Sequence, residues 1–276
     1  MAEGDTLLRI ATVLREVLVG REVIAARGRP GGADLGRLVG RWVESVEPRG
    51  KHLLVLFSGG LTLHSHLRLH GSWHRYRPGE QWRRAPSRAA AVLEVPNAVC
   101  VCFDAPTVEL METRALTLHP VLRSLGPDIG RADFDLEDGL AALRTPDRAQ
   151  TAIGDALLDQ RAVAGLGNVY RSELCFLERI NPFTPVAELD DEMLRRLLER
   201  GSALVVANSQ GGARVTTPAG TPGTLYVYGR TGRPCRRCGT PIRSATTGRH
   251  PRRAWRPFVT LRMGVPHRRH GRPVRP

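Results

Sequence analysis

The sequence predicts an α+β protein in which an N-terminal β-sandwich domain with an initial helix precedes a helical domain. Between about residues 23 and 118, apolar residues alternate with polar ones, which is typical of strands. After about residue 130, the apolar residues recur with the period of a helix. This change of period predicts two packed units, of which the first consists of two sheets.

The elements of the first unit can be placed in order. Apolar residues at helical spacing predict a helix over residues 5–19, and Gly20 is placed to end it. Residues 53–57 and 61–65 alternate on either side of a Gly-Gly turn and predict a hairpin. A second hairpin is predicted to turn at Pro96-Asn97.

The second unit is predicted to be helical. Helical periods occur at residues 134–143, 146–158, 168–178 and 187–207. We expect domains at residues 1–122 and 128–215, a zinc-finger-like segment at 225–262, and a basic tail at 263–276. From residue 249 onwards the chain is rich in Arg and Pro without an apolar period, which is typical of disorder.

The composition favours a nucleic acid as the partner. The formal net charge is +14, which suits a polyanion. No apolar run approaches about eighteen residues and the first residues are acidic, so we expect a cytoplasmic protein with neither a membrane span nor a signal peptide. Five cysteines are then expected as reduced thiols or metal ligands, with Cys100 and Cys102 buried in a strand.

Lysine occurs once, at Lys51 in Arg49-Gly50-Lys51-His52, although the chain has 41 basic residues. Arginine stays charged, whereas a lysine amine can lose a proton and regain it. Lys51 is therefore either a proton-transfer group or a chance survivor in an arginine-rich composition.

The segment between Asp159 and Tyr170 separates two helical periods. Gly165 and Gly167 allow close backbone approach, and Asn168 is suited to cap the following helix. The helix start then offers N–H donors to a phosphate. The alternative interpretation is an ordinary turn between helices.

Cys235 and Cys238 have the spacing of half a zinc site. Four arginines flank them, at positions 230, 233, 236 and 237, which suits a nucleic-acid backbone nearby. A redox pair is the weaker interpretation, since no βαβ pattern surrounds the two cysteines.

Five motifs follow one another along the chain: Ala2-Glu3-Gly4, Arg49-Gly50-Lys51-His52, Leu63-His64-Ser65-His66-Leu67, Leu157-Leu158-Asp159-Gln160 leading to Asn168, and Tyr228-Gly229-Arg230 before the cysteine pair. In kind and order they resemble the formamidopyrimidine-DNA glycosylase and endonuclease VIII family, nearest to an actinobacterial endonuclease VIII-like branch. The resemblance spans about residues 1 to 250.

The resemblance implies a monomeric base-excision repair enzyme that acts on damaged double-stranded DNA as a glycosylase and abasic-site lyase. Its fold would be a β-sandwich domain, a helix-two-turn-helix domain and a zinc-held hairpin, with the damaged nucleotide flipped out of the stack. The N-terminal amine, exposed by loss of Met1, would attack the sugar C1′, expel the base and form a Schiff base. Strand cleavage would follow by β-elimination or β,δ-elimination.

The resemblance also assigns the catalytic residues. The amine falls on Ala2, where the family usually has proline, and a primary amine can also form a Schiff base. Glu3 would be the general acid that protonates the sugar oxygen or the leaving base. Lys51 would grip a phosphate and assist proton transfer in the elimination, and Arg249 would assist the second elimination.

The DNA contacts are assigned in the same way. Leu69 matches the apolar wedge that fills the hole left by the flipped base, and Arg68 would brace the opposite strand. A core position for Leu69 and a solvated face for Arg68 are the alternatives. Asn168, beside Gly165 and Gly167, would hold the backbone next to the lesion.

Two further DNA contacts depart from the family pattern or lie near the cysteines. A phosphate-binding arginine of some relatives aligns with Ser124, and we expect Arg123 to compensate. Arg230 is expected on the DNA beside the cysteine pair. Arg68 and the short segment 211–224 favour oxidised pyrimidines as the damaged bases.

The expected zinc site is incomplete in this sequence. Relatives carry a second Cys-x-x-Cys, but no cysteine follows Arg249. His250, or His267 with His270, could supply ligands beside Cys235 and Cys238, although two residues between histidines is fewer than usual. We expect substoichiometric zinc.

Two other classes of function stay open. A damaged-DNA-binding protein with weakened catalysis would account for Ala2 and for the missing cysteine pair. An RNA-binding protein that reuses the helical domain would leave Ala2, Glu3 and Lys51 unexplained.

Overall fold

A computed structural model of the chain describes residues 2–245 and the backbone of residues 258–260. The helices are α1 (Gly4–Leu18), α2 (Leu136–Leu143), α3 (Ile153–Ala156), α4 (Asn168–Leu177) and α5 (Asp191–Ser209). The strands are β1 (Ala25–Gly28), β2 (Val43–Arg49), β3 (His52–Phe57), β4 (Leu61–His66), β5 (Ser72–Tyr76), β6 (Ala89–Val95), β7 (Ala98–Phe103), β8 (Thr107–Glu112), β9 (Arg243–Ala245) and β10 (Phe258–Thr260).

Two antiparallel sheets of four strands form the first unit, as the alternation predicts. Their strand orders are β1-β6-β7-β5 and β2-β3-β4-β8. Both predicted hairpins are present, with Leu53 opposite Ser65 in the first and Val95 opposite Ala98 in the second. The core between the sheets is apolar and includes Cys100 and Cys102, so their predicted burial is confirmed.

Helix α1 joins the two units. Its residues Leu7 and Leu14 are buried in the core of the sheets. Leu8, on another face of α1, packs against the helical core around Leu174 and Leu198. The start of α1 therefore lies where the sheets meet the helices.

The segment after α5 returns to α4. Phe176 of α4 packs with Val227, Cys235 and Ile242 in a small separate core. Beyond it, β9 pairs antiparallel with β10. Residues 258–260 are thus a paired strand within the tail that the sequence predicts to be largely disordered. Residues 249–257 and 261–276, for which the sequence predicts the rest of the zinc-finger-like segment and the basic tail, lie outside the described residues.

Two helix predictions need correction. Residues 146–158 form only a short 3₁₀ turn, Pro146–Arg148, and α3, because the chain is extended at Ala152, which pairs with Pro185 in an isolated β-bridge. Helix α4 begins at Asn168, and its N-cap position is Gly167. Asn168 is thus the first helical residue and not the cap.

Candidate active site

The start of α4 is capped by a carboxylate from the other end of the chain. Glu3 is fully buried. Its carboxylate oxygens accept hydrogen bonds from three backbone amides: Gly167 at 3.1 Å, Val169 at 2.9 Å and Tyr170 at 3.3 Å. A negative charge is favourable at a helix N-terminus. These three donors are therefore committed to Glu3, whereas a phosphate contact by Asn168 stays a prediction.

Glycine is required where α1 approaches α4. A Cβ on Gly167 would lie 2.4 Å from the Glu3 carboxyl carbon, so any side chain there would displace Glu3. Gly165 has a φ of +102°, and its carbonyl accepts a hydrogen bond of 2.8 Å from Gly4 N–H. The two predicted glycines thus hold the chain start against the helix.

The turn that carries Lys51 docks on the same place. Gly50 has a φ of +57°, and its N–H donates to Asp128 at 2.6 Å. A Cβ on Gly50 would meet the Ala164 side chain at 3.0 Å. Burial raises the pKa of Asp128, and the bonds from Gly50 and Gly130 oppose this rise. Asp128 therefore fixes the lysine turn to the helical unit.

The surroundings of Lys51 lower the pKa of its amine. Burial is the largest cause that lowers the pKa of Lys51, and the charges of Arg171 and Arg214 lower it further. Glu3 acts in the opposite direction. Lys51 therefore lies within electrostatic reach of the Glu3 carboxylate, and it can exchange a proton more readily than a lysine in water.

The third predicted element, the loop after β4, reaches the chain start through its backbone. The nitrogen of Ala2 lies 3.4 Å from the Arg68 carbonyl oxygen. Arg68 has a φ of 48°, which side-chain-bearing residues rarely adopt. Leu69 is 39% exposed, so the alternative of a core position for Leu69 is excluded.

A salt bridge that sequence reasoning missed closes the other side of this site. Arg214 donates to Asp5 through Nε at 2.7 Å and through a terminal nitrogen at 2.5 Å. Its guanidinium lies 5.0 Å from the centre of the Tyr170 ring. The bonds to Asp5 raise the pKa of Arg214 against the effect of burial. No motif marks this pair, because its partners lie 209 positions apart.

Arg171 is a second missed residue. It is 4% exposed, and burial lowers its pKa to about 10, with Asp155 acting against this. Its charge also lowers the pKa of Lys51. Arg171 follows Asn168 by one helical turn, so the amphipathic period of α4 gave the only signal for its burial.

A second buried carboxylate holds the segment that carries the cysteines. Glu173 accepts hydrogen bonds from three consecutive backbone amides: Tyr226 at 2.8 Å, Val227 at 2.8 Å and Tyr228 at 2.7 Å. Thr216 also donates to Glu173 through its hydroxyl. Residues 226–228 are therefore fixed to α4 by hydrogen bonds of the protein itself.

Arginines complete this attachment. The Arg237 guanidinium stacks 4.3 Å from the Phe176 ring centre and donates to the Phe176 carbonyl at 3.0 Å. Arg230 donates to the carbonyls of Tyr226 and, at 2.8 Å, Pro234. Arg123 is exposed in the 3₁₀ turn Leu122–Ser124. The DNA contacts of Arg230, Arg123, Arg68 and Asn168 stay predictions.

Cys235 and Cys238 lie in one tight turn. The N–H of Arg237 donates to Cys235 Sγ at 3.3 Å. Hydrogen bonds with Thr240, and then with Cys235, lower the pKa of the Cys238 thiol. Thiolates are good zinc ligands, so these two residues suit half of a four-ligand site. Arg249, His250, His267 and His270 lie outside the described residues.

A cluster of histidines on β3, β4 and the segment that follows β8 forms a separate network. His52 Nδ1 lies 2.8 Å from His64 Nε2, and His64 Nδ1 lies 2.8 Å from Glu109. His119 Nε2 lies 3.2 Å from the same carboxylate oxygen, while Leu122 N–H donates to His119 Nδ1. The proton of His119 is therefore on Nε2, where a metal would need a lone pair. The cluster is a hydrogen-bonded network and does not suit a metal.

None of the helices in the described residues is long and apolar enough to cross a membrane.

Comparisons with known proteins agree with this architecture. Residues 1–108 match the formamidopyrimidine-DNA glycosylase N-terminal domain, and residues 125–216 match the formamidopyrimidine-DNA glycosylase H2TH domain. Among solved structures, the Lactococcus lactis Fpg protein in complex with DNA containing N7-benzyl-Fapy-dG is similar, with a TM-score of 0.77 and 23% identity over 94% of this chain and 97% of that one. This likeness establishes the fold.

Sequence relatives extend over most of the chain. The probable endonuclease 8 2 of Streptomyces coelicolor is 42% identical over 251 residues, 90% of this chain and 88% of that protein. The DNA-(apurinic or apyrimidinic site) lyase Nei2 of Mycolicibacterium smegmatis is 37% identical over 252 residues, 90% of this chain and 94% of that protein. The chain therefore belongs to the formamidopyrimidine-DNA glycosylase and endonuclease VIII family.

Proposed function

We propose that this chain is a DNA glycosylase and abasic-site lyase of base excision repair that acts on damaged double-stranded DNA. The observation that carries the proposal is the meeting of Ala2, Glu3 and the Lys51 turn at the start of α4. The names of the relatives, which include a DNA-(apurinic or apyrimidinic site) lyase, support the same activity. The DNA in the similar solved complexes supports the partner.

In the proposed reaction, the α-amine of Ala2, exposed by removal of Met1, attacks C1′ of the damaged nucleotide. The bond from C1′ to the base breaks, its electron pair leaves with the base, and Glu3 supplies a proton to the sugar oxygen or to the base. The bond from C1′ to the ring oxygen then opens, this oxygen takes up a proton, the amine loses one, and a Schiff base between Ala2 and C1′ remains. Loss of a C2′ proton then expels the 3′ phosphate, and Lys51 takes up and returns protons in this elimination.

The proposed DNA contacts surround this reaction centre. Leu69 would fill the space left by the flipped nucleotide, and unstacking would cost a few kcal/mol. Arg68 would brace the opposite strand, and Asn168 and Arg123 would contact the backbone of the damaged strand. Oxidised pyrimidines are the proposed bases, with Arg249 assisting a second elimination.

Borohydride trapping tests the proposal directly. A duplex with one abasic site is incubated with the protein, the Schiff base is reduced, and the cross-linked peptide is mapped by mass spectrometry. We expect one cross-link at Ala2, in protein from which Met1 has been removed. DNA binding without any cross-link would support the second candidate, a damaged-DNA-binding protein, which the alanine in place of proline favours.

Lys51 has its own test. Lys51→Arg keeps the positive charge but cannot return a proton. We expect trapping at Ala2 to persist while strand cleavage slows by at least about tenfold. Cleavage at the wild-type rate would remove Lys51 from the proposed mechanism.

We further propose that Cys235 and Cys238 bind zinc substoichiometrically. Two thiols with a lowered pKa at Cys238 support metal binding, and a structural zinc site normally takes four ligands. Elemental analysis of the purified protein is expected to give well under one zinc per chain. One tightly held zinc per chain would contradict this.

A further inference from the structure

The loop between β4 and β5, residues 67–71, performs two tasks with adjacent groups. Arg68 presents its carbonyl oxygen to the Ala2 nitrogen, and Leu69 presents an exposed apolar side chain. The loop is closed by Gly71 N–H, which donates to the Leu67 carbonyl at 3.0 Å. A Cβ on Gly71 would lie 2.6 Å from that oxygen, so the closure requires glycine.

A side chain from a distant segment holds the loop. Arg84 donates through one terminal nitrogen to the His70 carbonyl at 3.2 Å and to Asp104 at 2.5 Å. Arg88 donates to both carboxylate oxygens of Asp104, at 2.8 and 2.7 Å. The N–H of Asp104 in turn donates to the Arg88 carbonyl at 2.9 Å. These bonds lower the pKa of Asp104, whose carboxylate stays charged between the two arginines.

Backbone strain marks both ends of this connection. Within residues 2–245, the non-glycine residues with positive φ are Arg68 at 48°, Asp104 at 53° and Arg179 at 58°. Arg84 therefore connects the loop that contains Arg68 with the side chain of Asp104, and both residues have a positive φ. Such conformations persist only when surrounding contacts fix them, and they concentrate at functional sites.

We propose that Arg84 and Asp104 are positioning residues that hold loop 67–71 in the conformation needed for catalysis. The loop then places Leu69 for insertion into the duplex and the Arg68 carbonyl for orienting the Ala2 amine. Because the two groups are neighbours in one short turn, a shift of the loop displaces both. This inference rests on the proposed function, since it assigns a role to the Ala2 amine.

The first test separates the contacts that Arg84 makes with His70 and Asp104, here called the Arg84 brace, from the positive charge of Arg84. Arg84→Ala removes the brace, and Arg83→Ala removes the same charge from the neighbouring exposed position. 2-Aminopurine placed opposite an abasic site reports unstacking, and single-turnover borohydride trapping reports Schiff-base formation. We expect Arg84→Ala to reduce both signals at least about tenfold, since small misplacements of reacting groups have effects of this size. Arg83→Ala should match the wild type.

The second test examines the carbonyl and does not depend on Arg84 variants folding. Arg68→Gly and Arg68→Val both lack the guanidinium, but only glycine adopts the required positive φ without strain. Trapping should be at least about tenfold faster with glycine than with valine. Equal trapping by this pair, or Arg84→Ala behaving like Arg83→Ala, would overturn the inference.

The outcome stays distinguishable from a failure of the proposed function. If the wild type shows the 2-aminopurine signal but no trapping, the proposed chemistry fails. The comparison of Arg84→Ala with Arg83→Ala in the fluorescence experiment then decides alone whether the brace positions Leu69. A reduced fluorescence signal in Arg84→Ala supports the claim that Arg84 positions Leu69, and an unchanged signal contradicts that claim.

Discussion

Glu3 and Glu173 are two buried carboxylates at α4 that are stabilised in the same way. Each carboxylate is fully buried, and each accepts hydrogen bonds from three backbone amides. Glu3 reaches α4 from the chain start, whereas Glu173 reaches out from α4 to residues 226–228. Backbone amides compensate the loss of water around a buried charge in both cases.

The difference lies in what surrounds each carboxylate. Glu3 is next to the Ala2 nitrogen and within electrostatic reach of Lys51. Glu173 accepts hydrogen bonds from Thr216 and from the backbone of 226–228, and its charge acts on Arg230, a guanidinium that does not release its proton in proteins. A buried, fully bonded carboxylate is therefore no indication of catalysis by itself. Neighbouring groups that can carry a proton or form a bond supply that indication.

The largest effect is expected for Glu3→Gln. The amide keeps the size of the side chain but cannot supply a proton, so base removal should slow by about 10² to 10⁴ fold. Single-turnover kinetics on duplex DNA with one oxidised pyrimidine measures this rate. Binding of the same duplex, followed by fluorescence anisotropy, should change little. A rate near that of the wild type would make Glu3 a structural cap like Glu173.

Glu173→Gln should lower stability, as Glu3→Gln also should, but leave the chemistry intact. The amide nitrogen would face a backbone N–H, and loss of a hydrogen-bonded charge should lower the free energy of unfolding by about 3 kcal/mol. Urea denaturation measures this change, and limited trypsin digestion should show faster cleavage after Arg230 or Arg237. Trapping per folded molecule should fall by no more than about threefold, because the hydrogen bonds of Glu173 hold Thr216 and residues 226–228. A loss of trapping as large as that of Glu3→Gln would contradict the distinction.

The local elements of this fold could be predicted from the sequence. Alternation gave β3, β4, β6 and β7, and helical spacing gave α1 and α5, because each pattern reflects burial of one face. Lys51, Gly165 and Gly167 were found as isolated signals, and the family resemblance brought them together with Ala2 and Glu3.

The long-range contacts could not be predicted in this way. Asp5 and Arg214 carry no spacing signal, since their pairing depends on how α1 packs against α5. The same holds for Arg84, whose acceptors lie 14 and 20 positions away. The capping of α4 was misassigned because a carboxylate from the chain start replaces a local cap.

Glu109 is a third carboxylate, and its hydrogen bonds are with the side chains of His64 and His119. His52 belongs to the same network through its contact with His64. Burial, followed by the charges of His66, His64, His119 and Lys51, lowers the pKa of His52 from its ordinary value of 6.5 to about 3. The unfolded chain therefore binds a proton at His52 below pH 6.5 that the folded protein does not take up until about pH 3. The contribution of His52 to the free energy of unfolding is fully present above pH 6.5. It decreases as the pH falls, and about 2 kcal/mol is lost at pH 5.

His52→Gln tests this dependence. Its amide can still donate to His64 but does not titrate. The difference in unfolding free energy between pH 7 and pH 5 should shrink by about 2 kcal/mol relative to the wild type. His70→Gln, at an exposed position, is the control. An unchanged pH dependence in His52→Gln would show that burial of His52 does not cause the loss of stability in acid.

The smallest effect is expected for Asp128→Asn. Asp128 accepts hydrogen bonds from Gly50 and Gly130 through different oxygens, at 2.6 and 3.1 Å. Asparagine keeps one acceptor and turns a donor toward the other amide, which should cost about 1 kcal/mol of unfolding free energy. Because burial raises the pKa of Asp128, the loss of its charge in Asp128→Asn adds little to this cost. Because the variant weakens the bond that holds the Lys51 turn, strand cleavage should become slower. Trapping at Ala2 should stay at the wild-type level. A decrease in trapping as large as the decrease in cleavage would mean that Asp128 supports Glu3 and not only the lysine turn.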